Sequence, residues 1–204
     1  MKTTHTLVAV ALLMQGIPCL AASKKQAAPD TSAFYIYSDK GEKKNHYIPS
    51  GYMGNYSDIK VQEDSTDDPV DGRHCTKITV KSSNTQGAGW LGVYYQNPPN
   101  NWGTRKGGYD LSSYKRLTFW ARSETDNVVI DTFKVGGITG EYGDSDSIEI
   151  SGTVLTKSWK KYTIDLPSDK DWKSISGGFA WATALNSLPQ EGAVFYLDEV
   201  RFEK

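Results

Sequence analysis

Cysteine is scarce in this chain of 204 residues: there are two, too few for a disulfide framework. Histidine numbers three, and no H-E-x-x-H run, cysteine pair or histidine cluster offers the ligands of a zinc site. An excess of one charge is also missing. Twenty-three Lys and Arg stand against 24 Asp and Glu, a net charge of −1, so the basic stripe that nucleic-acid binding requires is absent. The apolar run at 7–14 (LVAVALLM) has eight residues, whereas a membrane-spanning helix needs roughly 20. No window sustains a 3.6-residue apolar period, and the chain has neither an internal repeat nor a low-complexity tract.

Aromatic and turn-forming residues are plentiful. Six Trp, 12 Tyr and 6 Phe are far more than a disordered chain carries, and 19 Gly with 8 Pro imply many turns. The length suits one domain. At the start, Lys2 precedes the apolar run, Gly16 and Pro18 follow it, and Cys19-Leu20-Ala21 and Leu20-Ala21-Ala22 are small-residue cleavage contexts. This is the pattern of a secretory leader cut after Ala21 or Ala22. Pro18 stands where a lipoprotein leader carries a small residue, so no lipid anchor is expected. Cleavage leaves Cys75 as the sole cysteine and 22 basic against 24 acidic residues. We therefore read residues 1–21 as the leader of a protein exported to the periplasm or the medium. Residues 22–32, polar and Pro-containing, read as a disordered linker, and 33–204 as a single β-sandwich domain.

Short β-branched or aromatic segments bounded by Gly, Pro, Asn, Asp or Ser predict strands at 33–37, 59–62, 76–81, 90–96, 116–122, 128–135, 147–150, 160–165, 178–183 and 194–203. Thr76, Ile78 and Val80 alternate with Lys77, Thr79 and Lys81, which fits a sheet buried on one face. The fold class that follows is an all-β antiparallel sandwich of jelly-roll type.

Three strands pair an aromatic residue with a polar neighbour. In the strand from Trp90, side chains Trp90, Tyr94 and Gln96 share one face, while Leu91, Val93 and Tyr95 take the other. A loop with Asn97, Asn100, Asn101 and Trp102 follows. Trp120 and Arg122 share a face opposite Leu117 and Phe119, and Phe179, Trp181 and Thr183 share another. Rings beside amides and guanidinium suit a sugar-binding surface, where a ring stacks on the C–H face of a pyranose and planar polar groups take its hydroxyls. The same rings also suit a second role, as plugs at the ends of the sandwich.

Catalytic sets are thin. Cys75 and His74 are adjacent in a strand and so point to opposite faces. A glycosidase pair from Glu141 with Asp144 or Glu149 depends on a separation that spacing does not define. Asp198, amid Phe195, Tyr196 and Leu197, needs a partner, and a Ca²⁺ completed by Asp39 and Glu42 would serve.

The turn at 52–58 (a YxGxYxD pattern), WLGVYYQNPPNNWG, RLTFWAR, SWKKYTIDL, GGFAW and the closing FYLDEVRFE resemble the jelly-roll carbohydrate-binding modules with a galactose-binding-like fold found in secreted bacterial proteins. The likeness spans nearly all of 34–203. It implies a non-catalytic, monomeric module whose partner is a polysaccharide or surface glycan. It also implies a concave sheet lined by Tyr94, Gln96, Trp120, Arg122 and Trp181, with Trp102 in the adjoining loop. Asp198 would then ligate a structural Ca²⁺. Two other readings stay open: a small glycan-active enzyme using loop carboxylates, and an envelope protein that binds protein partners.

Overall fold

The structure, a computed structural model, describes residues 32–204; the expected leader and the linker up to residue 31 lie outside the described residues. Among the described residues, eleven strands form two antiparallel sheets. The first orders β3 (Ile59–Ser65), β4 (Cys75–Val80), β11 (Ala193–Glu203), β6 (Arg116–Ser123) and β9 (Lys160–Asp165), and β1 (Phe34–Tyr37) pairs with the far end of β11. The second orders β2 (Ile48–Gly54), β5 (Trp90–Gln96), β10 (Gly177–Ala184), β7 (Val128–Gly136) and β8 (Ser147–Leu155). Among the described residues no helix is long and apolar enough to cross a membrane.

The sheets pack face to face because each strand offers one apolar row. From β5, Leu91, Val93 and Tyr95 point inward, and from β6 Leu117, Phe119 and Ala121 do so. Rings bridge the layers: Phe119 of the first sheet lies 4.7 Å from Phe133 and 5.2 Å from Phe179 of the second. Such tilted aromatic contacts add to the stabilisation from burial itself.

The all-β antiparallel sandwich expected from patterning is the fold observed, and each expected strand has its counterpart. Two differences have physical reasons. Strand β2 (IPSGYMG) is not foreseen, because Pro49, Gly51 and Gly54 break the alternation. It is an edge strand, where a residue without an N–H is tolerated. Strand β8 runs on to Leu155, through a Gly152 at φ +63° that the pattern treats as a stop.

Candidate functional site

The second sheet exposes an outer face whose composition follows from its register. Cross-strand partners share a face, so Met53, Gly92, Ala182, Thr132 and Ser151 form one row across the five strands. Gly51, Tyr94, Ala180, Lys134 and Glu149 form the next. The middle of the first row is therefore built from small residues, and Ala180 continues that floor into the second. Trp90 stands on one side of them at the start of β5, 41% exposed. On the other side lies Tyr94, its ring packed among Ile138, Ala180 and Met53 and its hydroxyl donating to Gly136 O at 3.0 Å. Trp102, also 41% exposed, meets Tyr94 edge-to-face at 6.0 Å. Between Trp90 and Tyr94, Gly92 lets β10 come close and keeps the floor low, since a Cβ there would sit 2.6 Å from Trp181 O.

The far half of the face is polar. Lys134 Nζ and Glu149 Oε2 are 4.0 Å apart and both partly exposed. The Thr132 and Ser151 hydroxyls hydrogen-bond to none of the described residues, which leaves them free for a ligand. Two flat aromatic surfaces next to hydroxyls and one opposed ion pair can stack and hydrogen-bond a polyhydroxylated chain.

The wall carrying Trp102 is fixed by buried polar groups. Gln96 donates from Nε2 to Asn101 O at 3.0 Å and accepts from Ser50 Oγ at 2.9 Å. Asn101 Nδ2 donates to Arg105 O at 2.8 Å. Gly103, at φ +76°, then lets this loop touch the 137–146 loop, where Tyr142 N–H donates to Gly103 O. That second loop is tied down by Asp144. Its carboxylate accepts N–H bonds from Ile138 at 2.9 Å, Ser176 at 2.5 Å and Gly177 at 3.2 Å. Burial raises its pKa, against the pull of these donors. With its oxygens so occupied, Asp144 shapes the wall.

The six expected ligand residues do not share one surface. Tyr94 and Trp102 lie on the outer face described above. Gln96 is fully buried and serves the loop. Trp181 is also fully buried, edge-to-face with Phe195 at 5.0 Å, because the face it shares with Phe179 is the core face. Trp120 and Arg122 lie on the outer face of the first sheet, on the opposite side of the molecule. There the Arg122 guanidinium sits 3.8 Å over the Tyr196 ring and 5.1 Å from that of Trp159. Its Nη2 donates to Asp67 O at 2.8 Å, so it clamps a loop. Trp90, Thr132, Lys134, Glu149 and Ser151 complete the surface and were not singled out as ligand residues. Trp90 was visible as a face-mate of Tyr94. The others carry no aromatic signal, and their position depends on the pairing of β7 with β10 and β8.

The expected calcium ligands do not form a group either. Among the described residues no three His, Cys, Asp or Glu side chains are grouped to hold a metal ion. Asp198 accepts N–H bonds from Val70 at 2.7 Å and Glu199 at 2.8 Å. Asp39 accepts from Arg73 N at 2.9 Å and contacts His74 Nδ1 at 2.5 Å. Glu42 is exposed, and its link to Asp39 is a backbone one, from its N–H to Asp39 O at 3.3 Å. Oxygens already facing N–H donors do not fit a Ca²⁺ shell; the partner that Asp198 needs is the backbone of the 66–74 loop. Cys75 is buried, as expected of a structural thiol, and burial pushes its pKa to about 11.

The chain matches no protein-family model and no curated protein sequence. Solved structures do match its shape. The family 30 carbohydrate-binding module of a cellulosomal cellulase of Clostridium thermocellum aligns with a TM-score of 0.55 at 12% identity, over 84% of this chain and 97% of that one. A second family 30 module gives 0.54 at 11% identity, over 85% and 88%. The family 11 module of another cellulosomal cellulase of Clostridium thermocellum gives 0.51 at 13% identity, over 84% and 94%. The chain thus has the jelly-roll β-sandwich fold of the family 30 and family 11 carbohydrate-binding modules.

Proposed function

We propose that this protein is an exported, non-catalytic carbohydrate-binding module that holds a polysaccharide on the outer face of its second sheet. One observation carries the reading: Trp90 and Trp102, both substantially exposed, flank a floor of small residues beside the free hydroxyls of Thr132 and Ser151. Exposed tryptophans on an ordered sheet and its adjoining loop cost hydration that a stacked pyranose face would recover. The fold shared with carbohydrate-binding modules supports the same reading, and the leader-like start supports export.

The test is binding to an array of neutral and acidic polysaccharides, followed by affinity electrophoresis on whichever binds. Trp90→Ala and Trp102→Ala should each weaken binding by about tenfold or more, equivalent to about 1.4 kcal/mol. Trp120→Ala, on the other sheet, should leave it unchanged. Full retention of binding by both trough variants, or loss in Trp120→Ala alone, overturns the assignment.

A further inference from the structure

Away from the trough, a hollow of about 630 Å³ opens between residues 112–115, which lead into β6, and residues 166–173, in the β9–β10 connection. That is the size of ordinary small-molecule sites. Its walls are preformed. Leu166 N–H donates to Lys115 O at 2.7 Å, Leu111 N–H to Trp172 O at 2.8 Å, and Trp172 Nε1 to Pro167 O at 2.9 Å. Two of its lining residues are held from outside: Lys170 by Asp146 at 2.6 Å, and Asp171 O by Ser145 Oγ at 2.7 Å. Within it, the side chains of Ser113, Lys115, Ser168 and Lys173 are exposed and make no hydrogen bond or ion pair with any described residue.

We propose that this hollow is a second binding site, for a single neutral sugar unit or the end of a glycan chain. The free hydroxyls and ammonium groups donate and accept as a hexose requires. Tyr114 and Leu166 supply apolar surface for its C–H face. Asp169 and Asp171 offset Lys115 and Lys173, and Asp146 offsets Lys170, so the site has no net pull on an anion. Its walls come from two short segments, which gives room for a unit and not for a run of sugars crossing strands. The site is independent of the trough, with no residue in common.

The experiment is a ¹H–¹⁵N NMR titration of the full chain with D-glucose, D-galactose and D-glucuronate in separate series. A neutral hexose should give saturable shifts in residues 112–115 and 166–173. These should persist in a Trp90→Ala/Trp102→Ala double variant. Ser113→Ala and Ser168→Ala, both on exposed positions, should each weaken them roughly three- to tenfold, as expected for one hydrogen bond. Absence of saturable shifts there with either hexose overturns the proposal. So does a response to glucuronate alone, which would mark an anion site, or a response that disappears with the trough variant. Failure of the trough reading registers separately, at Trp90 and Trp102.

Discussion

At the scale of single residues, identical chemistry has three fates set by which way a strand faces. Trp90 is exposed beside the trough, Trp120 is half-buried on the opposite sheet, and Trp181 is sealed in the core. Alternation along each segment was legible: the face-sharing of Trp90 with Tyr94, and of Phe179 with Trp181, is as the two-residue period requires. What alternation lacks is a label for inside and outside when both faces carry aromatics, and that label comes from distant partners such as Phe195. Trp181→Ala should therefore act on stability and not on recognition. Thermal or denaturant unfolding should show a loss of about 3–5 kcal/mol, the usual cost of emptying a large buried ring site. Its Nε1 is buried without a hydrogen-bond partner, so Trp181→Phe should cost much less than the alanine.

At the scale of elements, the loop at 66–74 shows how the chain closes the outer side of its first sheet. Arg122 and Trp159 hold its carbonyls, at Asp67 and Asp68, while Asp198 holds its N–H groups at Val70 and Asp71. Lys77 adds ion pairs to Asp67 at 3.0 Å and Glu124 at 3.2 Å. Sequence alone signalled that Asp198 needs a partner but not which one, because the partners are peptide N–H groups about 130 positions away, and every non-proline residue has an N–H. Since these carboxylate oxygens already face donors, adding a chelator such as EGTA should leave the melting temperature unchanged. A fall of several degrees on chelation, reversed by Ca²⁺, would instead reveal a metal bound to the native state. The edge strand β2 makes a related point. Its Pro and Gly residues suppress the strand pattern, yet its partner β5 supplies the register that places Met53 beside Gly92.

At the scale of the whole molecule, buried carboxylates set how stability should follow pH. Burial pushes Asp198 up to about 7, with Val70 and Glu199 N–H groups opposing it. A carboxyl raised in the folded state contributes stability that is complete below the unfolded value near 4 and is lost as pH rises through about 7. For Asp198 alone the change is up to about 4 kcal/mol. Glu203 behaves in the opposite way. Burial pushes it up, but bonds from Lys161, Arg201 and Thr118 outweigh that and hold it down at about 2. Its contribution is present above about 4.5 and is lost as pH falls toward 2. Unfolding measured across pH should accordingly show greatest stability near about pH 4 to 4.5, where the two effects meet, with a decline on both sides. A stability curve that is flat or rising from pH 5 to 8 would contradict the burial of Asp198.

The pairing of β1 with the end of β11 has a mechanical consequence. Phe34 lies opposite Phe202, so the two ends of the described chain leave the sandwich side by side. Tension applied between residues 32 and 204 would open this antiparallel pair like a zipper, one ladder rung at a time, instead of shearing all its bonds together. The first strand to peel belongs to the first sheet, and the load reaches it without crossing the sheet that carries Trp90 and Tyr94. Under strain along the chain, the face that carries Trp90 would yield only after this pair has opened.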